Sequence, residues 1–203
     1  MNRKWTAIGM AASCALSVSL AAQTPGASGQ SNPPTQEKPA KPVSSEKMSA
    51  SATQSHELSG FAKKAAVGGM AEVELGRLAT EKASSARVKE FGQRMVDDHS
   101  VANDQLKQVA SAEGIELPSE IDAKTKATID KLSKLSGAEF DKAYMADMVK
   151  DHEHDVAEFA KAAKHSDSPV GSFAEKTLPT LRDHLKMAQD VEKEVGGRRA
   201  SKS

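Results

Sequence analysis

Apolar side chains recur every three or four positions through four long stretches of this chain, and nowhere do apolar and polar residues alternate for long. Steps of three and four put side chains on one face of an α-helix, whereas alternation marks a strand. The pattern therefore predicts an all-α protein, and the abundance of Ala, Lys, Glu, Leu and Met agrees. The first helix is expected from about Gly60 to Lys82, with Ser59 as its N-cap. Ala83-Ser84-Ser85 breaks it. The second runs from about Ala86 to Glu113 and stops at Gly114, the residue type favoured just past a helix end. After an extended link over Ile115–Pro118, Ser119 is expected to cap a short helix from Glu120 to Leu135. Ser136-Gly137-Ala138-Glu139 has the spacing of a capping box and opens the third long helix, which reaches about Lys164. Ser168-Pro169 starts the fourth, which ends at Gly196.

The short breaks after the first and third long helices predict two antiparallel hairpins. The longer link between the second and third can cross the bundle. The expected fold is thus a ferritin-like four-helix bundle with a short extra helix in the crossover.

Each stripe names what its helix buries. The first helix offers Phe61, Ala65, Gly68, Glu72, Leu75 and Ala79. The second offers Val88, Phe91, Met95, His99, Ala102, Leu106 and Val109. The third offers Phe140, Tyr144, Met148, His152, either Asp155 or Val156, and Phe159. The fourth offers Leu178, Leu181, either His184 or Leu185, Ala188 and Val191. Every stripe thus carries one strongly polar group: Glu72, His99, His152 and His184. Burying such a group is costly unless something satisfies it. Gly68 and Gly69 are expected to let a neighbouring helix approach closely.

The ends of the chain read differently. Residues 1–22 have a basic start (Asn2-Arg3-Lys4), an apolar middle from Trp5 to Leu20 and a small-residue cleavage site at Ser19-Leu20-Ala21, the layout of a secretory signal. The apolar run is too short for a stable membrane span. Cys14 suggests a lipoprotein alternative, but Ala11-Ala12-Ser13 is a weak lead-in, so cleavage is expected after Ala21 or Ala22. That would remove the only cysteine and leave a mature protein held together by packing alone. Residues 23–56, rich in Pro, Ser, Gln, Thr and Lys, read as a flexible tether. Residues 57–195 form the bundle and 196–203 a loose tail. The expected location is periplasmic or secreted.

Charge narrows the partners. The chain has 28 basic and 28 acidic residues, and loss of Arg3 and Lys4 would leave a slight acidic excess. With no basic stripe, nucleic acid is not an expected partner. No nucleophile motif or phosphate-cradling glycine loop is present, and no protein partner or oligomeric state can be named.

A longer pattern joins the polar groups. It runs Phe61…Ala65-Ala66…Gly69…Glu72-Val73-x-Leu75-Gly76-x-Leu78-Ala79, then Met95-Val96-x-Asp98-His99, then Leu135-Ser136-Gly137-x-x-Phe140-Asp141-x-x-Tyr144. Met148-Val149-x-x-His152 and Leu178-Pro179-x-Leu181-x-x-His184 complete it. Over about residues 58–193 this resembles the domain-of-unknown-function family 4142, exported bacterial proteins often labelled outer-membrane proteins. The resemblance implies a ferritin-like bundle and an export route, and no activity.

The chemistry must therefore be read from the residues. Glu72, His99, His152 and His184 could together bind one transition-metal ion, zinc, copper, manganese or iron. Counted from the nearest turn at 1.5 Å per residue, all four fall near mid-bundle. The competing reading is a buried polar network in which the histidines bond to Glu72, Tyr144 or water, on a scaffold whose surface does the work. Di-iron bundles use Glu-x-x-His on two helices; here Val96, Val149 and Leu181 stand three before the histidines, so at most a single mononuclear site is expected. Glu74 is the alternative to Glu72 if the first helix is rotated. Met95, Met148 and Met187 lie a turn from the histidines, as core filler or as copper-favouring thioethers. Asp98, Asp151 and Asp183 point about 100° away from their histidines, either solvated or paired with lysine, or else orienting a neighbouring helix's imidazole. His56, His154 and His165 are expected off the seam. Pro179 should bend the fourth helix.

Overall fold

A computed structural model describes residues 45–197. The signal segment with Cys14, the tether up to residue 44 and the tail beyond residue 197 lie outside the described residues. Five helices follow in order: α1 (Ser45–Lys82), α2 (Ala86–Ala112), α3 (Ala123–Ser133), α4 (Gly137–Ala162) and α5 (Pro169–Gly197), with one 3₁₀ turn, Ala163–His165, between the last two. No strand occurs among the described residues. The all-α bundle is as the periodicity required.

Helix ends follow local chemistry, sometimes at other residues than expected. α1 begins at Ser45, inside the segment read as a tether. Residues 45–57 contain neither Gly nor Pro, and extending an existing helix needs no new nucleus. Among the side chains described, the packed core nonetheless starts at Leu58. α2 ends as predicted at Gly114, whose φ of 66° lets the Ile115 amide reach back to the Ala110 carbonyl at 2.8 Å. This is a Schellman closure. α3 is capped by Asp122 rather than Ser119, because the Asp122 carboxylate accepts the Thr125 amide at 2.8 Å. Ser136 makes no side-chain cap bond, so the expected capping box is not formed. Ser136 is extended and Gly137 takes a φ of 61°, which turns the chain into α4 without that bond. At α5 the Ser168 hydroxyl accepts the Gly171 amide at 3.0 Å, one residue before Pro169. Gly171 is required there, since a Cβ would sit 1.9 Å from the His165 carbonyl oxygen.

The chain forms two hairpins, α1 with α2 and α4 with α5; α2 also packs on α5 and α1 on α4. The core is two apolar clusters. One gathers Leu75, Val88, Phe91, Met95, Phe140, Tyr144, Met148, Ala188 and Val191. The other gathers Leu58, Phe61, Leu106, Phe159, Phe173, Leu178 and Leu181. Following the chain through them gives the helix directions. α1 runs from the second cluster to the first, α2 and α4 from the first to the second, and α5 back again. The link carrying α3 therefore traverses the bundle between α2 and α4.

Of the two glycines expected to admit a neighbouring helix, Gly69 does so, since a Cβ there would lie 2.0 Å from Asn103 Oδ1 of α2, whereas one on Gly68 would meet nothing; the close backbone approach of α1 and α2 is made elsewhere. Gly76 and Gly92 provide it. A Cβ on Gly76 would lie 2.5 Å from the Gly92 carbonyl oxygen. The opposite end of this hairpin turn is fastened by Asp141 of α4. Its carboxylate accepts the Ser84 and Ser85 amides, both at 3.0 Å, and the Ser84 hydroxyl at 2.6 Å. Asp141 thus supplies from another helix the cap that α2 lacks locally.

Candidate metal centre

Between the two apolar clusters lies a single polar layer. Glu72 of α1, His99 of α2, His152 of α4 and His184 of α5 are all buried. Each occupies the position its stripe assigned, and His184 rather than Leu185 faces inward. Glu74, the alternative on α1, is exposed, as are His56 and His154; His165 is half-buried.

The three imidazoles form a near-triangle. Ring centroids are 6.0 Å apart for His99 and His152, and 5.4 Å for each of the other two pairs. One ring nitrogen from each lies within 4.8 Å of the other two. Three nitrogens bound to one ion at about 2.1 Å stand about 3.4 Å apart, so each ring needs to move inward by less than about 1 Å.

Two neighbours fix which nitrogens are free. His152 Nδ1 is 3.0 Å from the Met148 carbonyl oxygen, one turn back on α4. A carbonyl only accepts, so Nδ1 carries the proton and Nε2 keeps its lone pair. His184 Nε2 is 2.8 Å from Asp98 Oδ2. Burial alone would raise the Asp98 carboxyl, but bonds from His184 and Arg94 hold it below its ordinary value. It is an anion that accepts the Nε2 proton, leaving the lone pair on Nδ1. His99 Nε2, His152 Nε2 and His184 Nδ1 are buried and have no hydrogen-bond partner in the protein.

Burial also keeps the rings neutral. His99 is pushed down to about 3 by desolvation, with His152 and His184 adding to it. His152 is pushed down to about 4 by desolvation and then by His184. Desolvation lowers His184 too, against the pull of Asp98. Neutral imidazole is the form that binds metal.

Glu72 is in the layer but not in the trio. Its Oε1 lies 3.6 Å from His152 Nδ1, the nitrogen that already donates to Met148. It therefore meets the far edge of the ring. Its carboxyl is held well above the usual range by desolvation, then by Asp151 and Asp155 on α4. The Tyr144 hydroxyl is likewise buried without a partner. Of the three Asp-His aspartates, Asp98 orients an imidazole on a neighbouring helix, Asp151 is half-buried near Glu72, and Asp183 is exposed. The Asp98 bond was visible in sequence only as one of two alternatives, since the partner sits 86 residues away. Met95 and Met148 pack in the core, with Met187 half-buried against it. Pro179 lies inside α5 with its ring exposed.

A scan of family models matches residues 43–191 to DUF4142, a domain of unknown function. The chain belongs to the DUF4142 family. Among solved structures, a DUF305 protein of Streptomyces coelicolor is similar at 14% identity and a TM-score of 0.60, covering 69% of this chain and 92% of that one. A DUF305 fragment from Deinococcus radiodurans is similar at 14% identity and a TM-score of 0.59, covering 68% of this chain and 96% of the other. These likenesses concern the fold. No curated protein matches the chain. Among the described residues no helix is long and apolar enough to cross a membrane.

Proposed function

We propose that this DUF4142 protein binds one transition-metal ion through His99, His152 and His184. The observation that carries the reading is three buried, neutral imidazoles from three helices, one ring nitrogen of each within 4.8 Å of the other two, and each ring with a nitrogen that has no partner in the protein. Leaving a buried polar atom unpartnered costs about 1–3 kcal/mol each; one ion would satisfy all three. The network reading needs these nitrogens to bond to Glu72, Tyr144 or water, and neither protein group bonds to them.

An all-imidazole set suits zinc or copper better than manganese, which favours carboxylate. Glu72 then acts from beside the ligands, at the His152 edge opposite the free nitrogen. The Met148 carbonyl and Asp98 are outer partners of the kind that fix tautomer and ring orientation at metal sites. The signal-like first 22 residues support action outside the cytoplasm, where the bundle would serve as an exported metal-binding module.

Melting of the metal-stripped protein tests this. One site held at a hundredfold excess over Kd gains about 2.7 kcal/mol, or about 5–10 °C at 2–4 °C per kcal/mol. Zinc or copper(II) should give that rise, and His99→Ala should remove it. An unchanged melting temperature with every metal tried would sink the proposal.

A further inference from the structure

The layer is not sealed on every side. A cavity of about 30 Å³ adjoins His99 and His184 on the side toward the second apolar cluster, and Gly69, Asp98, Ala102 and Asn103 contribute to its wall. A space needs about 10–15 Å³ to hold a water, so this one has room for a water, a hydroxide or a ligand of two or three atoms.

Its wall is mostly apolar, with Leu106, Phe159, Phe173 and Leu181, and carries a polar side made by His99, His184, Asp98 and Asn103. Asn103 lies one turn beyond His99 on the same face of α2, which carries its amide along the cavity from the imidazole. The amide has room because Gly69 has no side chain: a Cβ there would lie 2.0 Å from Asn103 Oδ1. Asp98, which holds His184, also reaches this wall. Three protein nitrogens leave a tetrahedral ion one position short, the arrangement that distinguishes reactive zinc and copper sites from closed structural ones.

We infer that the metal keeps a fourth, exchangeable position facing this cavity, filled by water or hydroxide and open to small anions. The inference rests on the metal reading of the same three histidines. It adds the ligand class: monoatomic to triatomic anions and neutral molecules of that size, with the Asn103 amide as their hydrogen-bonding neighbour. Exchange at this position is simple substitution, water leaving as the anion enters.

The test uses the mature protein loaded with one equivalent of copper(II) or cobalt(II), titrated with sodium azide and followed by its visible absorption spectrum. The expected result is a saturable spectral change with one azide per metal. Ala102→Met, which fills the cavity, should keep one metal per chain and lose the azide response. Asn103→Ala should keep the metal and weaken azide several-fold. A loaded wild-type protein indifferent to azide would overturn the open position and leave the metal reading standing. An azide response that survives Ala102→Met at full strength would overturn the assignment to this cavity. Failure of the wild-type protein to take up metal would overturn both readings.

Discussion

His184 shows how much a single side chain's neighbours decide. Its Nε2 proton is committed to Asp98, and Asp98 is held in turn by Arg94 at 3.0 Å. Cutting that link frees the ring to rotate and lets its proton settle on either nitrogen. Outer partners of this kind are worth about 10–100-fold in metal affinity. Asp98→Asn should weaken zinc binding by about that factor, measured by competition with a chelator, while Asp183→Asn, at an exposed position, should leave it unchanged. The sequence put His99 and His152 on the inner faces of their helices, and left His184 open against Leu185, because a period of 3.6 fixes a residue's face only to within a neighbouring position. It could not decide Asp98, whose partner comes from another helix, nor separate Glu72 from the trio, because neither helix rotation nor depth to within a few ångströms is written in a repeat. Titration follows from the same burial. In the metal-free protein His99 and His152 take protons only near pH 3 and 4, while in the unfolded chain they do so near 6.5. Between those limits the unfolded state binds more protons, so stability must fall as pH drops from about 6.5 toward 4. Denaturant midpoints of the apo protein across this range should show the decline, and His99→Gln should make it shallower.

At the scale of helices, Asp141 ties the α1–α2 turn to the start of α4 with three bonds. Asp141→Ala strands two buried or half-buried amides and the Ser84 hydroxyl. The expected loss is about 2–3 kcal/mol, read from urea unfolding, with one metal per chain retained because the site lies turns away. Local start and stop signals were readable where a residue acts on its own helix, as at Gly114 and at Ser168-Pro169. They misled where competing residues stood nearby. Asp122 displaced Ser119 as cap because its carboxylate is placed to accept the Thr125 amide, and the Ser136 box failed where Gly137 turned the backbone. The early start of α1 was hidden because residues 45–57 carry no apolar stripe to read.

Across the whole molecule, the polar layer divides two apolar clusters and draws one side chain from each of the four long helices. An ion at the trio would cross-link α2 of one hairpin to α4 and α5 of the other, so metal binding and bundle stability should be one equilibrium. Stoichiometric titration of metal-stripped protein with zinc and with copper(II), against the variant in which all three histidines are replaced by glutamine, tests that claim most directly. One equivalent bound tightly by the natural protein and none by a variant that still shows a helical circular dichroism spectrum is the expected result. Absence of stoichiometric uptake by the natural protein, or equal uptake by the variant, would contradict the account.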